Sequence, residues 1–346
     1  MKILVDLSIL RHPYCGLGQI ALSYGRWYAE HPESIARGCE VTLLVPKEYM
    51  GAFGQSVDYL EAKPLYRHLP MLMPDYDLWH SIHQLTPFRP SSRRTRRLLT
   101  IHDVNFVYEK QGAKRQRYLR RLQREVDAAD ELCFISHFAQ EDCARHIDLH
   151  GKPQHVIYNG VADLTQGPQS APLPSPPSPF FLSIGVVKAK KNLHTLLPMM
   201  DLLPDYRLLI AGNDSDPYAD SLRRQLAQHP NVEMLGTVSD DQRRWLYAHC
   251  AALLFPSLSE GFGLPAIEAM QWGRPVFCSR CTSLPEIGST HARYFDDFDP
   301  AHMAETVRKG LADFGPQAAE AEKEYAATFS YESHMRRYWE LYVKQK

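Results

Sequence analysis

Ala251-Ala252-Leu253-Leu254-Phe255-Pro256-Ser257-Leu258-Ser259-Glu260-Gly261-Phe262-Gly263-Leu264-Pro265-Ala266-Ile267-Glu268-Ala269-Met270 changes character in mid-course. Its first five residues are a short continuous apolar run, the pattern of a strand buried on both faces. From Pro265 the stretch reads as a helix, proline being favoured at the first helical position. Such strands pair in parallel, with helices over both faces of the sheet. Gly261 and Gly263 let the backbone pass close to a ligand, and the N–H groups of a helix start favour an anion. Glu260 stands in the loop and Glu268 about one turn inside the helix, so both carboxylates can face one site at different depths. Carboxylates make poor phosphate ligands; sugar hydroxyls are their natural partners. The plain structural alternative is a helix with a glutamate near its positive end.

The same alternation of short apolar runs and longer amphipathic segments covers the chain. Strands are expected over residues 2–7, 40–46, 78–82, 97–102, 132–135 and 155–158, and again over 180–184, 207–211, 232–235, 251–255 and 275–278. Between the two sets, residues 166–179 hold six prolines and no charged side chain, which excludes helix interior and central strand and reads as a semi-rigid linker. The expected organisation is a first domain over 1–165, the linker, a second domain over 180–329, and a closing helix over 330–346. That helix would pack back on the body through Met335, Trp339 and Tyr342. Each domain is expected to be an α/β doubly wound parallel sheet, and ligands of such sheets bind outside the carboxyl ends of the strands, here in a cleft between the domains.

Composition removes several classes of function. At 346 residues, 44% hydrophobic and 23% charged, the chain can build two cores and is neither disordered nor fibrous. Its 39 basic and 40 acidic side chains give a net charge of −1, which argues against a dedicated nucleic-acid binder. No run approaches the roughly 18 apolar residues of a membrane span, and the start, with Asp6 in its apolar run, lacks a signal-peptide pattern. A cytoplasmic location is the expectation. The seven cysteines are odd in number and scattered, unlike a disulfide framework. Cys278 and Cys281 form a C-x-x-C that is either a metal or redox pair or two small residues beyond a strand.

The near-zero total hides a local imbalance. From Phe88 to Arg124 there are twelve Lys or Arg against Asp103 and Glu109. In the helix expected over 113–127, Tyr118, Leu119, Leu122 and Val126 form an apolar stripe and arginines fill the remainder. The stretch reads as a solvated basic face, as a docking surface for an anionic membrane, or as a contact for an acidic or phosphorylated acceptor. It has no aromatic stacking pattern, so nucleic acid is not an expected partner.

Two features of the first half bear on chemistry. His102 ends an apolar run and is either a hydrogen-bonded structural residue or a site residue; Asp103 either orients it or caps the next segment. Gly16 and Gly18 lie in the loop after the first strand, ahead of a helix reaching about His31. The third glycine and later acid of a dinucleotide fingerprint are missing, so a simple turn and a ligand loop both stand.

Glu260 and Glu268 are separated by seven residues, and the stretch resembles the E-x7-E signature of the retaining glycosyltransferases of the GT4 family, which have the GT-B fold of two facing Rossmann-like domains. Phe181-Leu182-Ser183-Ile184-Gly185 with Lys190-Lys191-Asn192-Leu193 is similar to the family's glycine strand end and its Arg-Lys-Asn. Gly273-Arg274-Pro275-Val276 and Ser283-Leu284-Pro285-Glu286-Ile287 resemble its G-x-P-V and S-x-P-E-V segments. Thr100-Ile101-His102-Asp103, Phe134-Ile135-Ser136 and Asn159-Gly160-Val161 resemble its first-half motifs, all in family order.

The resemblance implies roles residue by residue. Glu268 would hold the ribose of a nucleotide diphosphate sugar, GDP- or UDP-linked. Glu260, with Gly261 and Phe262, would hold the transferred sugar. Lys190, Lys191, Gly16, Gly18, Gly263 and Leu264 would surround the diphosphate, and His102 would reach the sugar near its reacting carbon. Lys190 replaces an arginine, keeping the charge and losing the bidentate fork. Val186 stands where another branch of the family has arginine directly after the glycine.

The implied activity is metal-independent transfer of a hexose, mannose favoured by likeness to bacterial mannosyltransferases of surface polysaccharide assembly, to a polysaccharide or lipid-linked glycan. No cofactor beyond the donor is implied. The competing readings are a nucleotide-sugar 2-epimerase of the same fold and a non-catalytic sugar-nucleotide-binding subunit.

Overall fold

Among the described residues of the computed structural model, 1–13, 15–174 and 179–344, the strands form two sheets, and every pairing in them is parallel. Tyr14 of the first glycine loop, residues 175–178 of the proline-rich stretch and residues 345–346 of the closing segment lie outside the described residues. The chain divides into two compact units, Met1–Tyr158 with His334–Lys346, and Asn159–Ser333.

The first sheet comprises β1 (Lys2–Asp6), β2 (Glu40–Val45), β3 (Asp58–Glu61), β4 (Leu78–Ser81), β5 (Arg96–Ile101), β6 (Glu131–Phe134) and β7 (Gln154–Val156), in the spatial order 3-2-1-4-5-6-7. The second comprises β8 (Phe180–Ile184), β9 (Arg207–Ala211), β10 (Val232–Gly236), β11 (Ala252–Phe255), β12 (Val276–Ser279) and β13 (Arg293–Phe295), in the order 10-9-8-11-12-13. Each is doubly wound. The order reverses between β1 and β4 in one sheet and between β8 and β11 in the other, which are the points where such sheets bind ligands.

Burial explains the strands. Leu4, Val5, Leu43, Leu44, Phe181, Leu182, Leu253 and Leu254 are inaccessible to solvent, as continuous apolar strands covered on both faces must be. In the first sheet Leu4, Leu44, Trp79, Leu99 and Phe134 point to one face, where the helix Gly112–Ala128 and the segment around Ala62, Tyr66 and Met73 cover them. His80, Thr100 and Cys133 point to the other, and there the helix Tyr331–Val343 closes the chain. Tyr342 Oη meets His80 Nδ1 at 2.6 Å, and Tyr338 Oη meets Thr100 Oγ1 at 2.9 Å and Cys133 Sγ at 3.2 Å.

Two expectations about organisation are corrected, the domain boundary and the set of strands. The units divide at Tyr158, upstream of the proline-rich stretch, because residues 159–170 adhere to the second unit. Val161 bridges to Ser330, Leu164 N donates to Gln271 Oε1 and Ser170 N donates to Asp241 O. From His334 onward the last helix packs in the first unit, where Met335, Trp339 and Tyr342 are buried. β3 and β13, short edge strands, had no apolar run to mark them.

Candidate functional site

Where β8 and β11 lie side by side, the loops leaving their carboxyl ends are tied together: Leu258 N donates to Lys190 O at 2.8 Å. Gly185 ends β8 with φ 136°, and Gly212 ends β9 with φ 138°. A Cβ on Gly212 would fall 1.9 Å from Gly185 O, so this close backbone approach admits only glycine. The chain then makes a single turn, Ala189–Lys191, and reverses at the left-handed Asn192.

That turn delivers Lys191. Its Nζ donates to Glu260 Oε1 at 2.6 Å and lies 4.8 Å from the centre of the Phe255 ring, a cation over an aromatic face. Both side chains are 14% exposed. Glu260 Oε1 also accepts from Ser257 Oγ at 2.5 Å. The loop that carries Glu260 is pinned from the segment after β12: Thr282 Oγ1 accepts from Glu260 N at 3.0 Å, Ser283 Oγ lies 3.0 Å from Glu260 O and 2.9 Å from Phe262 O, and Ser279 Oγ donates to Ser257 O. Thr282 holds φ 55°, a costly conformation for a β-branched residue, and it places the hydroxyl on Glu260 N. Gly261 and Phe262 are buried, and Gly263, at φ 111°, is the N-cap of the helix Leu264–Gln271. Leu264 is thus the first helical residue and Pro265 the second, one position later than expected.

Glu268 lies on this helix with its Oε2 accepting from Tyr247 Oη at 2.7 Å. Burial and the Glu268 charge hold the Tyr247 hydroxyl far above the ordinary phenol range, and the same charge raises the Arg243 guanidinium. Tyr247 therefore fixes the carboxylate by a hydrogen bond, and Arg243, one turn before it on the helix Asp240–His249, lies within range of its charge. Lys190 is half-buried, and its carbonyl ties the two loops; Val186 is at the exposed margin.

The first unit carries the remaining candidates. His102 follows β5 and is buried; its Nε2 contacts Ile82 O at 2.7 Å, and Gln84 Oε1 accepts from its N–H at 3.2 Å. Burial lowers its pKa to about 4, so at neutral pH the imidazole is uncharged, with the proton on Nε2 and a lone pair on Nδ1. Asp103 Oδ1 accepts from Asn105 N at 3.0 Å, a tight turn ahead of the short helix Phe106–Glu109, whose N-cap is Asn105. Gly16 opens the helix Gly16–Glu30 with open space around it. Gly18 has a packing reason: a Cβ there would lie 2.2 Å from His12 O, and its N–H goes to the Cys15 Sγ cap at 3.4 Å. Cys278 is a buried free thiol in β12, and Cys281 is a free thiol in the turn beyond it.

Thus Lys191, Glu260, Gly263 and Leu264 converge in the second unit, with Glu268 on the same helix, while His102, Gly16 and Gly18 belong to the first. Ser257, Thr282, Tyr247 and Gln84 escaped the sequence reading. Thr282, Tyr247 and Gln84 act through hydrogen bonds to residues 18 to 22 positions away, and Ser257 through bonds to Glu260 and to Lys190 O, relations that leave no sequence pattern.

Residues 29–163 match the family described as Glycosyltransferase Family 4, and residues 169–328 match that described as Glycosyl transferases group 1. O-antigen chain mannosyltransferase B of Escherichia coli is 24% identical over 90% of this chain and 91% of its own length. O-antigen chain mannosyltransferase RfbU of Salmonella typhimurium is 26% identical over 68% of this chain and 66% of its own. Among solved structures, Anabaena HepE in complex with UDP-glucose superposes with a TM-score of 0.75 over 99% of both chains at 16% identity, a likeness of fold.

Proposed function

The chain belongs to the GT4-type glycosyltransferases, and from that premise we propose that it moves a hexose, mannose favoured, from a nucleotide diphosphate sugar to a polysaccharide or lipid-linked glycan, with retention and without a metal. The observation that carries this reading is the ammonium of Lys191 set against the carboxylate of Glu260 at the β8/β11 switch point. The mannosyltransferase relatives support mannose, and the UDP-glucose complex of HepE supports the donor class.

Each side chain then has a task. Glu268, steadied by Tyr247, takes the ribose hydroxyls. Glu260, with Gly261 and Phe262 around it, takes hydroxyls of the sugar. Lys191 and Lys190, with the N–H groups of Gly263 and Leu264 at the helix start, meet the diphosphate; Gly16 and Gly18 are candidates for it by the family resemblance alone. As the bond between the sugar's anomeric carbon and the phosphate oxygen breaks, negative charge grows on the leaving diphosphate, and fixed cations stabilise it as a metal would. The acceptor hydroxyl attacks from the face the diphosphate leaves, and its proton passes to a phosphate oxygen. His102, neutral, accepts a sugar hydroxyl at Nδ1.

Peripheral contact with an anionic membrane through the stretch from Phe88 to Arg124 belongs to the same reading. Its cations are not equivalent. Arg89 and Arg97 pair with Glu125, Arg96 pairs with Glu131, and Arg121 donates to Leu85 O, whereas Lys114, Arg117, Arg120 and Arg124 are exposed. No helix among the described residues is long and apolar enough to cross a membrane.

The test is a panel of nucleotide sugars screened by thermal shift and then by slow hydrolysis in excess EDTA. One donor should release nucleoside diphosphate and free sugar, the anomer first released matching the donor's. Conversion to an epimer, binding without turnover, or loss of activity that Mg²⁺ restores would contradict the proposal.

A further inference from the structure

Among the described residues, twelve large hydrophobic side chains are exposed, and four of them fall within eight positions: Leu65 at 51%, Leu69 at 42%, Met71 at 74% and Leu72 at 54%. Leu65 belongs to the one-turn helix Pro64–Arg67 that follows β3, Met71 and Leu72 to the next, Pro70–Leu72, and Leu69 is the N-cap of the second. This is not a loop left loose. Ala62 and Met73 are buried on either side, and Tyr66 packs between them against the cluster of Leu4, Leu44, Trp79 and Phe88. With those three residues turned inward, the other four are directed to solvent. Soluble proteins scatter exposed apolar residues singly, and a contiguous group marks an interaction surface.

The charge around the group selects the partner. From Lys63 to Pro74 there is no acidic residue, and Arg67 and His68 are exposed; Lys63 is exposed too but reaches Glu61 at 3.9 Å, and Asp75 follows Pro74. Arg67 and Arg11 both lie over the Phe88 ring, at 5.4 and 5.7 Å. The segment also shares a sheet face with the basic helix Gly112–Ala128, since β1, β2 and β4 direct their inward residues to one side and β5 and β6 continue that side under the helix. On that helix Lys114, Arg117, Arg120 and Arg124 fall within one stripe, opposite the buried Leu122 and Val126, at about 100° per residue.

Apolar side chains that enter the acyl boundary, bordered by cations that meet headgroups, are the two components of interfacial membrane binding. We propose that this face of the first unit docks on an anionic lipid bilayer, with Leu65, Leu69, Met71 and Leu72 as the inserting element and the helix Gly112–Ala128 as the electrostatic one. It deepens the membrane contact proposed above and rests on that part of the reading, not on the donor chemistry.

The experiment is co-sedimentation of the full chain with vesicles of phosphatidylcholine alone and of phosphatidylcholine with about 30% phosphatidylglycerol. The chain should bind the anionic vesicles, the double variant M71S/L72S should bind them at least tenfold more weakly, and K114E/R117E should lose binding in step with added salt in the wild type. Thermal midpoint and donor hydrolysis without vesicles should be unchanged in M71S/L72S. That control separates a failure of docking from a failure of the catalytic reading. Equal binding to both vesicle types, wild-type binding to neither, unchanged binding by M71S/L72S, or a dimer in lipid-free buffer that M71S/L72S dissociates would overturn the proposal.

Discussion

Lys191 and Glu260 are each other's counter-ion, 2.6 Å apart and nearly enclosed, at the reversal point of the second sheet. A cation assigned to a diphosphate and a carboxylate assigned to a sugar thus already neutralise one another, so donor recognition at this point exchanges or extends an existing ion pair. Lys191→Ala should lower kcat/KM by about 10² to 10³, the scale of losing one preorganised group aimed at developing charge. Lys191→Arg should recover part of that, since the charge returns while the reach over Phe255 changes. Steady-state kinetics on both variants check this, and an Ala variant within about threefold of wild type would contradict it.

Tyr247→Phe separates binding from chemistry. The substitution removes the 2.7 Å hydrogen bond to Glu268 and leaves the ring packing in place. Donor KM should rise about ten- to hundredfold, the order expected from losing one hydrogen bond to a charged group at about 1.5–3 kcal/mol, with kcat little altered. A fall in kcat at constant KM would instead place Glu268 at the reacting bond.

Gly212→Ala tests the geometry beneath the site. An added methyl would meet Gly185 O, and φ 138° is a region L-residues rarely adopt. A loss of about 3 kcal/mol or more in denaturant unfolding is expected. Gly16→Ala, where a Cβ meets nothing within 4 Å, should cost far less and serves as the comparison.

Acid should destabilise the first unit through buried histidines. Burial lowers His83, His102 and His334 from 6.5 to about 4. The unfolded chain therefore takes up these protons first, stability is complete above about pH 6.5, and it declines as pH falls toward 4. The slope reaches about 1.4 kcal/mol per pH unit for each histidine. His334→Gln should reduce the difference in unfolding free energy between pH 7 and pH 5; an unchanged difference would contradict the assignment. Glu322 runs the other way. It is buried, Arg293 Nη1 is 3.7 Å away, and burial raises its pKa to about 8, so it lowers stability increasingly as pH rises from 4.5 to 8. Glu322→Gln should stabilise the fold at pH 8 by about 1–3 kcal/mol and leave it unchanged near pH 4.5.

How much of this was legible depended on distance along the chain. Local runs such as Leu253-Leu254-Phe255 announced buried parallel strands, and the spacing of Glu260 and Glu268 announced the loop-to-helix site. Edge strands such as β3, Asp-Tyr-Leu-Glu, are half-exposed and carry no apolar run. The boundary at Tyr158 and the return of the last helix to the first unit are set by contacts such as Tyr342 with His80, 262 residues apart, for which composition holds no signal. The basic stretch was visible as a count, but Glu125 and Glu131, which consume three of its arginines, lie beyond its end. Ser257 and Tyr247 were hidden because a serine or tyrosine that anchors a carboxylate resembles any other.

The most direct test of the account is nucleoside diphosphate release from the preferred donor in excess EDTA, measured for the wild type and Glu260→Ala side by side. The account predicts metal-free release by the wild type and loss of most turnover in Glu260→Ala, each protein assayed well below its own thermal midpoint because the variant leaves Lys191 without its counter-ion. Equal rates in the two proteins would contradict it.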